Sequence, residues 1–256
     1  MTSAKLELLD IFSYSCMNCL RSLNYIKLLD KKYKKHGLKT TIVHVPEWKF
    51  EKNKENISRA IKKYRIKFPG IIDKNKKLLK KMGINFWPSQ VLIKDGKILY
   101  RHIGEGRYKT LENNIKMALK LKTKPLFVKE PKYSKYPAIY AGRRKKGIIL
   151  SLNAEKIDFG VIYAGKGWLQ KEEYLESMKN NSAIKIRLAG NISSITAQSL
   201  TKKPVKISLK INDKITISKI ISKPKLCQLF KSKTKNKKIL DIIADKGLAI
   251  YSFSFQ

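Results

Sequence analysis

The chain has 256 residues, 43% of them hydrophobic, which is enough apolar surface for one large folded domain or two ordinary ones. Its 57 lysines and arginines against 19 aspartates and glutamates give a formal net charge of +38, which attracts polyanions without selectivity. The sequence has neither the aromatic platforms of RNA-binding sheets nor a helix-turn-helix pattern, so no specific nucleic-acid partner is expected. Three cysteines exclude a disulfide-rich scaffold.

Membrane insertion is not expected, because no apolar run reaches the roughly 18 to 20 residues of a membrane-spanning helix. The N-terminal residues, Met1 to Glu7, lack the basic and then apolar layout of an export signal. We therefore expect a cytoplasmic location for the chain as written, and an extracytoplasmic one if Met1 replaces a leader that has been removed.

The first half of the chain alternates predicted strands and helices. Its patterns predict a buried strand, a helix closed by Gly37, a second strand, two more helices, a hairpin with an Asp95-Gly96 turn and a last amphipathic helix. The ranges are 5–13, 17–36, 38–45, 55–64, 76–82, 89–94 with 97–103, and 108–121. This order predicts an α/β domain, with a central mixed sheet flanked by helices and completed by the antiparallel hairpin.

The character of the sequence changes after residue 124. Closely spaced prolines among lysines and tyrosines predict a linker. Beyond the linker, apolar and polar residues alternate in short runs separated by polar turns, which is typical of an antiparallel β-sandwich. We therefore predict a first domain over 1–124, a linker over 125–136 and a second, all-β domain over 137–256.

Cys16 and Cys19 lie three residues apart, directly after the first predicted strand and at the start of the first predicted helix. At a helix N-terminus, unpaired backbone N–H groups and the helix dipole stabilise a thiolate on Cys16. Cys19 lies one turn further along the same helix face, where it can resolve a mixed disulfide formed on Cys16. We interpret the pair as a redox-active dithiol that needs no other cofactor.

Two other interpretations of the cysteine pair stay open. A tetrahedral zinc site requires two more ligands, and the rest of the chain offers only Cys227 and three scattered histidines, so we expect no metal. The second alternative is a pair of inert buried thiols. For Cys227, a buried position on a strand is the expected one.

Two further features stand where a dithiol site would use them. Asp10 interrupts an apolar strand six positions before Cys16. Buried there, it would have a raised pKa and could accept the proton of Cys19, whereas at an exposed strand end it would only be solvated. Trp87-Pro88 precedes the predicted hairpin, and it either contains a cis peptide bond or simply starts a strand.

Four segments of the first domain keep the order and spacing of a known family: Leu9–Arg21, His44–Phe50, Asn85–Pro88 and Gly104–Gly106. They resemble the thioredoxin-like proteins of the DipZ and TlpA group. The resemblance implies a thioredoxin fold, with Cys16 as nucleophile, Cys19 as resolving thiol and Pro88 as the cis-proline beside them. It places Asp10 at the buried aspartate of thioredoxins. It also implies an acidic role near the dithiol for Glu47, which its loop context alone presents as a solvated residue.

This resemblance implies a protein-disulfide oxidoreductase. Its partners would be disulfide-containing protein substrates, docked by the backbone at Trp87-Pro88, and a dithiol electron donor that the sequence does not identify. Met17 and Asn18, the residues between the cysteines, carry no charge that would bias the redox poise. Reductase, oxidase and isomerase therefore stay open as directions of electron flow.

Three segments of the second half are similar to the tail of DipZ: Pro137–Gly142, Gly165–Trp168 and Gly247–Phe255. That tail is a jelly-roll-like sandwich similar to carbohydrate-binding modules, so contact with a carbohydrate is one interpretation of the second domain. However, Tyr251, Phe253 and Phe255 alternate onto one predicted strand face and Trp168 borders a strand, so we expect these aromatic residues in the core. The alternative function is a basic binding protein, for a polyanion or a carbohydrate, in which the redox pair is secondary.

Overall fold

The chain forms two compact units, which we call the N-terminal unit, residues 1–132, and the C-terminal unit, residues 133–256. The computed structural model describes residues 6–131, 136–212, 215–232 and 238–256. The boundary between the two units falls inside the stretch that the sequence predicts to be a linker.

The N-terminal unit alternates strands and helices as predicted. In residues 6–131 the strands and α-helices are, in chain order, β1 (Leu6–Phe12), α1 (Met17–Tyr33), β2 (Leu38–His44), α2 (Lys54–Lys63), β3 (Gly70–Ile72), α3 (Lys77–Lys81), β4 (Ser89–Lys94), β5 (Lys97–Ile103) and α4 (Tyr108–Ala118). The predicted first helix ends in a short 3-10 helix at Lys34–His36, whereas the second 3-10 helix, at Lys49–Lys52, and strand β3 were not predicted.

These strands form one mixed sheet in the order β3-β2-β1-β4-β5. The pairs β1–β2 and β2–β3 are parallel, whereas β1–β4 and the β4–β5 hairpin are antiparallel. The predicted α/β class, a mixed sheet completed by a hairpin, is confirmed. Because the carboxyl ends of the parallel strands meet at one edge, the loop after β1, which carries the cysteines, lies beside the loop after β2.

The central strand β1 is covered on both faces, which explains its nearly continuous apolar sequence. Leu6 and Leu8 belong to the core formed with α1 and α4. Leu9 and Ile11 belong to the core on the other face, formed with residues of β2 and α3. By this alternation Asp10 faces the side of the sheet that α1 covers.

The first half of the predicted linker packs on the N-terminal unit. Leu126 and Val128 contact the core beneath α1 and α4. The Leu126 N–H donates to both carboxylate oxygens of Glu112, at 2.9 and 2.8 Å, and the Lys109 N–H donates to Glu130 Oε1 at 3.1 Å. The N-terminal unit therefore extends past residue 124.

The C-terminal unit consists of strands in its described residues. They are β6 (Ile139–Tyr140), β7 (Ile148–Ser151), β8 (Val161–Ala164), β9 (Trp168–Gln170), β10 (Leu175–Ser177), β11 (Ser182–Leu188), β12 (Ile192–Ser199), β13 (Val205–Ile211), β14 (Ile215–Ile221), β15 (Lys225–Lys231), β16 (Lys238–Ala244) and β17 (Leu248–Phe255).

Two sheets of the C-terminal unit share one apolar core. One has the order β15-β12-β17-β10-β9, with β6 on β17, and the other has the order β14-β13-β16-β11-β8-β7. Ile184 and Ile207 from the second sheet and Ile195 and Phe253 from the first belong to the same buried cluster. The arrangement is a β-sandwich, as the period-two pattern predicts, with a parallel β7–β8 pair at one edge. Cys227, on β15, is partly buried against this core.

The aromatic residues of β17 do not all share one face. A bulge shifts the register between β17 and β12, so that both Ile250 and Phe253 join the sandwich core. Tyr251 packs instead on Tyr174, with ring centres 5.2 Å apart. The predicted alternation is therefore wrong for Tyr251, although Tyr251, Phe253 and Phe255 are all buried.

Truncating Phe253 should destabilise the C-terminal unit strongly. We expect Phe253→Ala to lower its free energy of unfolding by about 3 to 5 kcal/mol, because a buried ring leaves a cavity that the two sheets cannot close. Leu169→Ala on β9, where the side chain is 42% exposed, is the matched control and should cost no more than about 0.5 kcal/mol. Urea denaturation followed by circular dichroism measures both variants. Equal losses would contradict the assignment of Phe253 to the core.

Candidate active site

Cys16 and Cys19 lie at the N-terminus of α1, as predicted. Cys16 is the N-cap residue, and its Sγ accepts a hydrogen bond from the Cys19 N–H at 3.3 Å. Cys16 is partly exposed and Cys19 is fully buried, and both thiols are free. The accessible sulfur therefore has a backbone donor that stabilises its thiolate, and the second sulfur lies one turn behind it.

The buried thiol is difficult to ionise. Burial raises the pKa of the Cys19 thiol, and its hydrogen bond with Cys16 and the nearby charges of Cys16 and Asp10 raise that pKa further. A thiol that must attack as a thiolate from such a position needs a proton acceptor close by.

Asp10 is a candidate for that acceptor. Its carboxyl is fully buried, so Asp10 is not a solvated residue at an exposed strand end. Gln90, directly opposite on β4, donates from Nε2 to Asp10 Oδ1 at 3.0 Å and to Ser22 Oγ at 3.2 Å. Burial raises the pKa of Asp10 to about 7, and the Gln90 hydrogen bond opposes this shift. Oδ2 has no hydrogen-bond partner within the described residues, so one oxygen of a neutral-range acid remains able to take a proton.

The loop that precedes β4 reaches the end of β1 from which the chain continues to the cysteines. The Trp87-Pro88 peptide bond is cis, and Pro88 is buried. Ser89 pairs with Ile11 in antiparallel register, so Pro88 is level with Phe12, the last residue of β1. Trp87 is partly buried against the core beneath β1, and Lys76 Nζ lies 5.1 Å from the centre of a Trp87 ring.

An ion pair that the sequence reasoning missed connects α1 with the loop after β5. Arg21 donates from Nε and Nη2 to the two oxygens of Glu105, at 2.8 and 2.5 Å, and also from Nη2 to Asn18 Oδ1 at 2.7 Å. Such a two-pronged contact fixes orientation as well as distance. The neighbouring Gly104 N–H donates to the Pro88 carbonyl at 2.8 Å. The first turns of the cysteine helix and the cis-proline are thereby held to one loop.

A second missed residue, Glu51, lies behind the three residues before Cys16, which we call the cysteine loop (residues 13–15). Glu51 is fully buried in the 3-10 helix after β2. Its Oε1 accepts from Ser13 Oγ and Ser15 Oγ, both at 2.7 Å, and from the Ser15 N–H at 3.2 Å. Burial raises the pKa of Glu51 to about 7, and the serine hydroxyls oppose this shift.

Glu47, the acidic residue that the family resemblance places near the dithiol, is half-buried in the same loop after β2. It joins the site through its backbone, since its N–H donates to Glu51 Oε2 at 2.5 Å and the Trp48 N–H donates to the same oxygen at 3.3 Å. The Glu51 carboxyl therefore contacts both the cysteine loop and the backbone of Glu47 and Trp48. A catalytic role of the Glu47 side chain stays a prediction.

Within the described ranges, no group of three histidine, cysteine or acidic side chains is arranged to hold a metal ion. None of the described helices combines the length and apolar character that crossing a membrane requires.

The fold and this site define a thioredoxin-like dithiol domain. Residues 5–119, all in the N-terminal unit, match the protein-family model described as Redoxin. Protein DipZ of Mycobacterium bovis is 33% identical over 117 residues, which are 45% of this chain and 17% of DipZ. Protein SUPPRESSOR OF QUENCHING 1, chloroplastic, of Arabidopsis thaliana is 32% identical over 116 residues, 45% of this chain and 11% of that protein.

Shorter relatives match the same part of the chain. The thiol-disulfide oxidoreductase ResA of Bacillus anthracis is 29% identical over 109 residues, which are 42% of this chain and 60% of ResA. The crystal structure of StoA from Bacillus subtilis superposes with a TM-score of 0.38 at 21% identity, over 43% of this chain and 81% of StoA. The chain spans less than two thirds of the length of DipZ, SUPPRESSOR OF QUENCHING 1 and ResA.

Proposed function

We propose that this protein is a thiol-disulfide oxidoreductase that exchanges disulfides with protein substrates through Cys16 and Cys19. The observation that carries the proposal is the asymmetry of the pair: an accessible sulfur at a helix N-terminus, and a buried sulfur one turn behind it with a buried carboxyl nearby. A zinc site or two inert thiols would not require this arrangement. Its similarity to ResA, a thiol-disulfide oxidoreductase by name, supports the same conclusion.

In the forward direction, the Cys16 thiolate attacks one sulfur of a substrate disulfide. A Cys16–substrate disulfide forms, the substrate S–S bond breaks, and the first substrate thiolate leaves. Cys19 then gives its proton to Asp10 and attacks Cys16 Sγ. The Cys16–Cys19 disulfide forms, the second substrate thiolate leaves, and two electrons have passed from the dithiol to the substrate. A dithiol donor must return these two electrons before the next cycle.

Asp10 must be ionised to accept the proton of Cys19. A carboxyl with a pKa of about 7 is substantially ionised at neutral pH and still basic enough to take a proton from a thiol. In this proposal the backbone at Trp87-Pro88 docks the substrate by pairing with an extended stretch of its chain, and the support is that Pro88 directly precedes β4, which pairs with the end of β1 that leads to the cysteines.

Several finer expectations accompany this proposal. The protein substrates and the dithiol donor are proposed from the chemistry of the pair, and no bound cofactor is needed for the cycle. Contact of the C-terminal unit with a carbohydrate stays a prediction, and so does the cytoplasmic location expected from the sequence.

The reduction potential of the pair tests the proposal. Titration of the full chain with glutathione or dithiothreitol buffers should show one two-electron transition, at roughly −270 to −120 mV, the range of thioredoxin-like dithiols. Cys227→Ser should retain the transition, and Cys19→Ser should remove it. A wild-type protein in which Cys16 and Cys19 form no reversible disulfide would overturn the proposal, and the value itself would give the direction of electron flow.

A further inference from the structure

Glu51 connects two loops at the edge of the sheet. Its Oε1 accepts hydrogen bonds from Ser13 and Ser15 of the cysteine loop. Its Oε2 accepts hydrogen bonds from the backbone N–H groups of Glu47 and Trp48. All five hydrogen bonds point toward the carboxyl group. A carboxylate, which only accepts, satisfies all of these donors, whereas a protonated carboxyl would place its own hydrogen against one of them.

Besides the hydrogen bonds to Glu51, burial and a backbone hydrogen bond also restrict the conformation of the cysteine loop. Ser13 and Ser15 are both buried, and the Ser13 carbonyl accepts the Cys16 N–H at 3.2 Å. Ser15 is joined directly to Cys16. Any displacement of the two serines therefore moves the Cys16 sulfur relative to the first turn of α1, and with it the hydrogen bond that Cys16 Sγ accepts from the Cys19 N–H.

We propose that Glu51 is a positioning residue for Cys16: its ionised carboxylate holds the cysteine loop in the conformation that places the Cys16 thiolate at the N-terminus of α1. This inference rests on the proposed function, in which Cys16 is the attacking sulfur. The role is assigned to Glu51 through its contacts with the cysteine loop, and the acidic role near the dithiol that the family resemblance implies for Glu47 stays a separate prediction.

The groups around Glu51 decide when its carboxyl is ionised. Glu47, in the same loop, raises the pKa of Glu51 by charge repulsion, in addition to the larger effect of burial. Tyr64, after α2, stays neutral because burial and the Glu51 charge raise its pKa to about 12. His44, on β2, has Nε2 3.1 Å from the Glu51 carbonyl, and burial lowers its pKa. Glu51 therefore ionises in the neutral range without a cationic partner among these three groups.

The test measures how fast iodoacetamide alkylates Cys16 in the full chain, using site-resolved mass spectrometry across a range of pH. In Glu51→Gln the side chain keeps one acceptor oxygen, so only one of the two loops can stay bound, and its NH2 group faces the donors of the other. We expect the alkylation of Cys16 to slow by about tenfold above neutral pH, the effect of losing one or two hydrogen bonds. The wild-type pH profile should also show a step near neutral pH that Glu51→Gln lacks.

Glu112→Gln is the matched control. Glu112 is another buried glutamate of the same unit, and its carboxylate accepts hydrogen bonds from Lys32, Tyr33 and the Leu126 N–H. Its substitution should lower stability in urea but leave the rate and the pH profile of Cys16 alkylation unchanged. Ser15→Ala, which removes one donor and keeps Glu51, should slow alkylation by a smaller factor, and it carries the test if Glu51→Gln fails to fold.

Two results would overturn this inference, and they are distinguishable. If wild-type Cys16 reacts quickly and both Glu51→Gln and Ser15→Ala react equally quickly with an unchanged pH profile, Glu51 only stabilises the fold and the oxidoreductase proposal stands. If wild-type Cys16 reacts no faster than Cys227, the proposed function fails, and the positioning role of Glu51 fails with it.

Discussion

Replacing Cys16 with serine should abolish the reduction of insulin disulfides by the full chain in the presence of dithiothreitol, leaving only the rate of dithiothreitol alone. The reason is that a serine hydroxyl does not ionise in the neutral range and cannot form a mixed disulfide. Turbidity of the precipitating insulin B chain measures the rate. Retention of catalysis by Cys16→Ser would contradict the mechanism.

Cys19→Ser is the matched variant for the same experiment, because it keeps the nucleophile and removes the resolving thiol. It should accumulate a covalent Cys16–substrate disulfide that is visible on a non-reducing gel and released by reductant. Cys227→Ser should behave as the wild type. If trapping occurred on Cys227 instead of Cys16, the assignment of the nucleophile would be wrong.

Replacing Asp10 with asparagine should stabilise the protein at high pH while slowing its reaction cycle. Burial raises the pKa of Asp10 from 3.8 to about 7, so the folded state binds this proton more tightly than the unfolded state. The stability that the protonated form supplies is complete below pH 3.8 and is lost as the pH rises through 7. The loss amounts to roughly 4 kcal/mol above neutral pH, at about 1.4 kcal/mol for each pKa unit.

Because Asp10→Asn removes the buried charge, it should resist urea better than the wild type above neutral pH, and this advantage should shrink as the pH falls. Without the proton acceptor, resolution of the mixed disulfide should slow by about 10² or more.

Asp73→Asn is the control, and its effect on the free energy of unfolding should have the opposite sign. The Asp73 carboxylate accepts the N–H groups of Lys77 and Leu79 at the start of α3, so its loss should destabilise by about 1 kcal/mol. An Asp10→Asn variant less stable than the wild type above neutral pH would show that Asp10 is not a strained buried carboxylate.

Local signals in the sequence predicted the parts of the site that depend on neighbouring residues. A strand, a cysteine pair and a helix in direct succession place Cys16 at a helix N-terminus. A carboxylate inside an apolar run identifies Asp10 as buried. The Asp95-Gly96 turn predicts the hairpin because both residues take the positive φ values that a tight hairpin turn requires.

Glu51 could not be found in the same way. It stands between Phe50 and Lys52, where an acidic residue reads as a solvated member of a charged loop. Glu51 contacts Ser13 and Ser15, which lie 38 and 36 residues earlier in the chain. The residues next to Glu51 in the sequence do not indicate these distant contacts. The sequence signal that could have indicated this contact lies in the cysteine loop, where two serines flank a tyrosine directly after a buried strand. If these serines are buried, their hydroxyl groups need hydrogen-bond acceptors.

The fold shows the same division between local and distant causes. Strand β3 has three residues, and all of them are exposed. It is defined by its parallel pairing with β2, and three residues are too few to show a strand pattern in the sequence. In the sandwich, a single bulge between β12 and β17 moves Tyr251 out of step with Phe253. Alternation predicts which segments become strands, but register belongs to the pairing of two strands.

The stretch that leaves the N-terminal unit has a practical consequence for anyone who wishes to produce this unit alone. A fragment that ends at the predicted boundary, residue 124, would remove Leu126 and Val128 from their own core. It would also remove the Leu126 N–H, which donates to the Glu112 carboxylate beside Lys32 Nζ and the Tyr33 hydroxyl. A fragment that ends after Pro131 would keep Leu126 and Val128 on this core and would keep the Leu126 N–H on Glu112.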